Sequence, residues 1–468
     1  MTIPIIIICY NNYKYVLNTI EQLRRINKEY YKNIQIVNNN STCVHTIQFL
    51  NNLDINVIHN STNNGPWITN TNNTHIYNSL PDKFILTDPD LQLNPKLPHN
   101  FIEILSELSD TYKTEKIGFA LDIDDFEKMY KNTNYTHGKS IYEWEIQFWD
   151  KKIQHTNYDL YEHMIDTTFC LVNKNYINTG YHIRIAGDFT AKHLPWYIEN
   201  DIYNTYEQYI HNIGNTSIST ISRVIIPYIE DTYLKIKKNN EIFLIKHDNS
   251  NQNMSFWKNI YTTWEYDTFQ IFDTYLSQDK IFIDIGGWIG TTAMYGSRKS
   301  KHVYSVEADT KSFDDMMVNL QTNCCKNYTL INKCIFNVDN STIKFGKNQF
   351  LPNSKLNDST SHIYSDDVQT GDFYLAETIT IESIIRTYKI NPFDISLIKV
   401  DIEGGEENIL DDLYKIHVSY NIPLYISFHY TWWKDMNLDR FLFLSSTTKN
   451  KIKTNPFMSI VFKSGENL

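Results

Sequence analysis

Apolar residues along this chain gather in short runs, and polar, helix-periodic stretches separate them. The first run, residues 3–10 (IPIIIICY), predicts a buried strand, and residues 13–26 (YKYVLNTIEQLRRI) carry apolar positions at helical spacing. Strands follow at 33–40 (NIQIVNNN), 55–59 (INVIH) and 83–88 (KFILTD), with a polar loop STNNGPW before the last. Strands alternating with helices predict a parallel sheet covered on both faces. The pattern then starts afresh. Residues 232–248 (TYLKIKKNNEIFLIKHD) predict a hairpin turning at Asn239-Asn240. A single aromatic-rich helix is expected over 257–276, then strands at 280–287 (KIFIDIGG), 302–309 (HVYSVEAD) and 396–406 (SLIKVDIEGGE). Two α/β domains are therefore expected, 1–228 and 229–468, with a long loop or lid over the Asn/Ser/Asp-rich residues 351–370.

Composition narrows the class. A net charge of -11 argues against a general nucleic-acid coat, whose footprint is basic. The six cysteines form no CxxC pair, which suggests a reducing compartment. The apolar N-terminus is short, lacks a preceding basic region, and reads as a strand rather than a signal peptide. No stretch reaches the length of a transmembrane helix. The expected location is the cytoplasm of the producing cell, including a virus-infected host.

Candidate chemistry in the first half begins at Asp88 and Asp90, which flank Pro89 at the end of an apolar strand. In an open parallel sheet, strand carboxyl ends border the ligand crevice. Two carboxylates this close repel unless a cation lies between them, and Mg²⁺ or Mn²⁺ suits oxygen ligands. An acidic turn capping a helix is the plain alternative. The order of strand, helix, VNNNST, Asn64-Gly65-Pro66 and strand-DPD resembles the GT-A glycosyltransferases of the family 2 type. In that family the second strand usually ends in an aspartate, and here Asn38 stands in its place. The resemblance implies that Cys9, Tyr10 and Asn11 flank a nucleobase, with Asn38 able to bond base or ribose. It also implies that Asn64 and Gly65 approach a nucleotide sugar. Asp88, Asp90 and the later His193 would hold the metal. Asp188, Glu145 and Asp166 are candidate general bases for an acceptor hydroxyl.

In the second half, IFIDIGGWIGTTAMYG ends a strand at Asp284 and supplies Gly286, Gly287 and Gly290 before a helix. Glycines let the backbone turn tightly and approach a ligand. Glu307 follows about twenty residues on, where an acidic side chain pairs with ribose hydroxyls. An adenosine ligand is expected, NAD or S-adenosylmethionine. The ordered trio DIGGWIG, VEAD and KVDIEGGE resembles the FkbM family of S-adenosylmethionine-dependent methyltransferases. That resemblance implies a class I methyltransferase fold and a cofactor site shaped by Asp284, Gly286, Gly287, Trp288, Gly290, Thr291 and Glu307. Asp401 and His429, at strand carboxyl ends, are expected to act as base or substrate clamp, supported by Glu403.

The whole chain is thus expected to be a bifunctional glycan-building enzyme. One half would move a sugar from a nucleotide donor to a glycan or glycoconjugate acceptor, and the other would O-methylate a sugar hydroxyl. The alternative is an active methyltransferase carrying a non-catalytic glycan-binding domain, which the substitution at Asn38 favours.

Overall fold

A computed structural model describes residues 3–131, 134–177, 179–212, 220–248, 253–355, 358–364 and 371–465. The chain divides into two compact units, Met1–Asp231 and Thr232–Leu468. Among the described residues, no helix is long and apolar enough to cross a membrane.

The strands of the first unit are β1 (Ile5–Cys9), β2 (Ile34–Asn38), β3 (Asn56–His59), β4 (Lys83–Thr87), β5 (Leu91–Leu93), β6 (Lys116–Phe119), β7 (Lys152–Ile153), β8 (Leu160–Glu162), β9 (Cys170–Asn173), β10 (His182–Ile185) and β11 (Ala191–His193). Nine of them form one sheet in the order β3-β2-β1-β4-β9-β6-β10-β8-β7. β1 to β4 pair in parallel, as the sequence pattern implies. The sheet is nevertheless mixed. β9 runs antiparallel between β4 and β6, and β7 and β8 are antiparallel at the far edge. A four-residue buried strand carries no direction in its apolar pattern, so CLVN could not reveal its reversal.

The helix Tyr13–Ile26 buries Tyr15, Val16, Thr19, Ile20, Gln22 and Leu23, one face at helical spacing. That face also holds the segment after β4. Thr19 Oγ1 donates to the Pro89 carbonyl at 2.6 Å and Gln22 Nε2 to the Leu91 carbonyl at 3.0 Å. Gln22 Oε1 in turn accepts from the Leu93 N–H at 2.8 Å. β11 pairs antiparallel with β5, setting His193 opposite Leu91, and the Leu194 N–H donates to the Asp90 carbonyl at 2.9 Å. This short ladder brings a residue far along the chain to the side of Asp90.

The strands of the second unit are β12 (Tyr233–Lys238), β13 (Glu241–Lys246), β14 (Ile281–Ile285), β15 (His302–Val306), β16 (Tyr328–Ile331), β17 (Cys334–Ile335), β18 (Thr342–Gly346), β19 (His362–Ile363), β20 (Phe373–Ile379), β21 (Ile395–Val400), β22 (Leu424–His429) and β23 (Phe457–Phe462). β12 and β13 form the expected hairpin, with Lys238 opposite Glu241 and Asn239 left-handed at φ 50°. The main sheet has the order β16-β15-β14-β21-β22-β23, and only β23 is antiparallel. From β14 the chain goes first to β15 on one side and later to β21 on the other. Ligands bind beyond the strand ends at such a switch point.

Two expectations need correction here. The single aromatic helix is two helices, Met254–Asn259 and Tyr266–Tyr275, with Glu265 at φ 46° between them. Lys238, 1% exposed, donates its ammonium to the Tyr261 carbonyl at 3.1 Å and to that of Trp264. It satisfies carbonyls at the helix break. Within the expected lid, residues 356–357 and 365–370 lie outside the described residues, and His362–Ile363 is a strand rather than loop.

The helix Thr310–Thr322 is capped by Asp309, whose carboxylate accepts from the Ser312 N–H at 2.8 Å. Asp309→Ala is expected to cost ~1 kcal/mol, within the range for lost N-caps, in urea denaturation.

Candidate active sites

In the first unit a cavity opens beyond the carboxyl ends of β1 and β4. Tyr10, Gly65, Asp88, Asp90, Asp166 and His193 all line it. Asp88 is half-buried against Thr167, whose hydroxyl donates to its carboxylate. Burial and then the neighbouring Asp90 push the Asp88 pKa well above the usual carboxylate range. Asp90 Oδ2 lies 3.4 Å from His193 Nε2. Asp90 Oδ1 and His193 Nδ1 are buried and make no hydrogen bond. Orphaned acceptors on a carboxylate and an imidazole, beside a second carboxylate, form a donor set that fits a divalent cation. The three are not gathered as tightly as a finished site, because Asp88 faces Thr167. Among the described residues, the trios with ligand atoms within 4.8 Å of one another are Cys43–His45–His211 and Asp401–Glu403–His429.

Other expected residues serve the scaffold instead. Cys9 is fully buried, and burial pushes its thiol up to about 12. Asn11 Oδ1 accepts from the Thr42 and Cys43 N–H groups, both at 2.8 Å. Asn38 Oδ1 accepts from the Ser41 N–H at 3.0 Å, and its amide nitrogen meets His59 Nδ1 at 3.1 Å. The amides on the cavity wall are Asn12, Asn39 and Asn63, and Asn39 donates to the Gly65 carbonyl at 2.7 Å. Asn64 bonds Thr62 and Asn73 away from this cavity.

Glu145 is 2% exposed and pairs with Arg184, which also stacks on Phe148 and donates to the Met164 carbonyl. Burial raises the pKa of Glu145 despite that partner. Asp188 is exposed in the turn Gly187–Phe189 and does not line the cavity. Of the three carboxylates considered as bases, only Asp166 faces the cavity, with its Oδ1 accepting from Trp67 Nε1 at 2.8 Å. Arg223, missed in the sequence, supplies a cation on the wall.

In the second unit the cavity lies at the β14–β21 switch point, lined by Gly286, Trp288, Thr291, Glu307, Asp401 and Glu403 among others. Gly286 has φ +81°, and a Cβ there would lie 1.8 Å from the Asp401 carbonyl oxygen. A Cβ on Gly287 would lie 2.2 Å from Ser305 Oγ. Gly290, at φ +88°, caps the helix Thr291–Lys299. Asp284 is fully buried beneath this turn. Its Oδ2 accepts from Thr292 and Ser305 hydroxyls at 2.9 and 3.0 Å, and its Oδ1 lies 3.2 Å from Lys399 Nζ. Lys399 also donates to the Gly286 carbonyl at 2.6 Å, so it pins the glycine turn. Burial would lower the Lys399 pKa, but Asp284, Asp401 and Glu265 together hold it above its ordinary value.

Glu307 accepts from the Trp288 and Asp309 N–H groups at 2.7 and 2.8 Å. Burial pushes its carboxyl up to about 7. Its remaining lone pairs border the cavity, and the glycine cradle leaves room for a flat ligand against the backbone. Asp401, Glu403 and His429 converge. His429 Nε2 lies 3.2 Å from Glu403 Oε2 and 3.8 Å from Asp401 Oδ1. Glu406, fully buried, meets His429 Nδ1 at 3.1 Å. Glu265, Lys399 and Glu406 were not anticipated. Glu406 was legible as the last residue of IEGGE, while Glu265 had no signal because it was expected inside a helix.

The comparisons agree with these two settings. The model of the Glycosyl transferase family 2 matches residues 5–176, and that of the Methyltransferase FkbM domain matches residues 284–448. No curated protein matches the chain. Similar solved structures include an FkbM methyltransferase from Methylobacillus flagellatus, at 15% identity and TM-score 0.26, covering 51% of this chain and 48% of that one. Another is an rRNA methylase from Streptococcus thermophilus, at 14% identity and TM-score 0.24, covering 38% of this chain and 79% of that one. The chain therefore joins a family 2 glycosyltransferase domain to an FkbM methyltransferase domain, both from families of enzymes.

Proposed function

We propose that the chain is a bifunctional glycan-synthesis enzyme, with its two activities divided near residues 228 and 229. The observation that carries this reading is that each unit sets a polar cluster beyond the carboxyl ends of parallel strands.

In the first unit, Tyr10, Asn12 and Asn39 flank the base and ribose of a nucleotide-sugar donor. Asp88, Asp90 and His193 would hold Mn²⁺ or Mg²⁺, and Arg223 adds a cation for the diphosphate. When bound, the metal supplies positive charge against the leaving diphosphate. Asp166, oriented by Trp67, accepts the proton of the acceptor hydroxyl. In the second unit, S-adenosylmethionine lies against Gly286 and Gly287, with its ribose on Glu307. Asp401, Glu403 and His429 hold the hydroxyl to be methylated, a sugar hydroxyl of the first unit's product. Tethering the two activities raises the local concentration of that product.

A carboxyl at about 7 makes the ribose contact depend on pH. Affinity for S-adenosylhomocysteine is expected to rise as pH climbs through about 7, because the ionised form accepts hydroxyl hydrogen bonds better. Calorimetry at several pH values reads this, and Glu307→Gln should flatten the profile. The stability linkage has the opposite sign. The folded pKa lies above the ordinary 4.5, so the group's stabilising contribution is complete below 4.5 and is lost as pH rises to about 7.

A second reading, in which the first unit only binds glycans, is favoured by Asn38 and by the turn of Asp88 toward Thr167. Release of nucleoside diphosphate from UDP-, GDP-, CDP- and dTDP-sugars decides between them. Consumption of one donor with Mn²⁺ supports transfer, and consumption of none leaves the binding module.

A further inference from the structure

We propose that Asp401, Glu403 and His429 form a divalent-cation site in the methyltransferase domain, of the Mg²⁺ or Mn²⁺ class, where the acceptor hydroxyl completes the coordination. The site deepens the methyltransferase reading and rests on it.

The donor set consists of one oxygen from each carboxylate and one imidazole nitrogen, all within 4.8 Å of one another. The two contacts of His429 Nε2, at 3.2 and 3.8 Å, are somewhat longer than the separation of adjacent ligands around a small cation and would shorten on binding one. With metal–ligand distances of ~2.1 Å, neighbouring octahedral ligands stand roughly 3 Å apart. Oxygen-rich sets with one imidazole suit hard or borderline divalent ions.

The surroundings prepare the imidazole to coordinate. Glu406 meets Nδ1 at 3.1 Å, which orients the ring with Nε2 toward the two carboxylates, where a cation would take the place of the Nε2 proton. A carboxylate behind a ligating histidine is the usual support for such a ligand. Glu406 is itself held by Trp433 Nε1 at 3.1 Å and the Gly404 N–H at 3.2 Å. The ring stacks on Trp432 at 5.2 Å and 13°, and Phe457 lies edge-on to both rings, 6.0 Å from the imidazole and 5.1 Å from the indole. The imidazole therefore has little freedom to turn away. Asp401 and Glu403 line the same cavity as the Gly286 cradle, so a cation there faces the methyl donor. Of the cations on that wall, Lys399 is committed to Asp284 and the Gly286 carbonyl and Lys333 to Glu377.

In the methylation step, the coordinated hydroxyl gives its proton to water and its oxygen attacks the methyl carbon. The O–C bond forms, the C–S bond breaks, and the electron pair stays on sulfur as S-adenosylhomocysteine is released. The cation makes the hydroxyl a better nucleophile by lowering its pKa.

The test uses the full chain carrying Asp90→Ala, so that the first unit's metal position is disabled. Free Mn²⁺ is counted by electron paramagnetic resonance after chelator treatment, and S-adenosylhomocysteine binding is measured calorimetrically on the same samples. One bound Mn²⁺ is expected, weakened ~100-fold or more by Glu403→Gln or Asp401→Asn and ~10–100-fold by Glu406→Gln. Retained S-adenosylhomocysteine binding establishes that the variants are folded. Cofactor binding without bound Mn²⁺, or Mn²⁺ binding unchanged in both ligand variants, overturns the cation site alone. Loss of cofactor binding in the parent chain overturns the methyltransferase reading and the site with it.

Discussion

Lys399→Met is expected to destabilise the second unit by ~3–5 kcal/mol, the range for removing one partner of a buried ion pair. Lys399 and Asp284 have side-chain exposures of 3% and 0%, so neither charge can turn to solvent. The ammonium also bonds the Gly286 carbonyl, and its loss would leave that group buried and unsatisfied. The hydroxyls of Thr292 and Ser305 still serve Asp284, which keeps the loss at the lower end of the range. Amide hydrogen exchange in β14 and β21 would read the effect without assuming that the two units unfold together. The double variant Lys399→Met/Asp284→Leu should regain much of the loss, since no lone buried charge remains. A loss below ~1 kcal/mol in the single variant would contradict the buried-pair account.

The second large effect is on chemistry rather than stability. Asp88→Ala is expected to reduce nucleotide-sugar turnover ~10³-fold, comparable to losing a preorganised electrostatic group at a reacting centre. Stability should hardly fall. The half-buried Asp88 carboxyl stands beside Asp90 with its pKa raised by desolvation and by that neighbour, so folding gains little from its charge. Methylation by the second unit should be unchanged, which separates the two activities. Initial rates with Mn²⁺ and a parallel urea titration measure both. Unchanged turnover would remove Asp88 from the metal assignment.

Features built from contiguous sequence were legible. Asp88 and Asp90 follow an apolar strand, and the glycines after Asp284 mark a turn where side chains would collide. The 239–240 hairpin needed only a pair of asparagines between strands. Pairing in space was not legible. Glu145 looked like a free carboxylate until the fold placed Arg184 against it. Asn38 and Asn39 are neighbours in a run of three, and only the strand's alternation decides which amide faces the cavity. Glu265 reached its cavity because the chain breaks helix there, held by Lys238 from another element. Asp166 and Asp188 were equivalent as letters, and they differ because one follows a cavity wall and the other an exposed turn.

Two separate ligand sites are expected in one chain, one for a nucleotide diphosphate with metal and one for a methyl donor. The most direct test is a thermal-shift panel of UDP, GDP, CDP and dTDP, each with and without Mn²⁺, and of S-adenosylhomocysteine alone. A ligand at a hundredfold excess over its dissociation constant stabilises the native state by ~2.7 kcal/mol. One nucleotide should stabilise only with Mn²⁺, and S-adenosylhomocysteine should stabilise independently of it. Stabilisation by S-adenosylhomocysteine with no response to any nucleotide, with or without metal, would contradict the two-activity account.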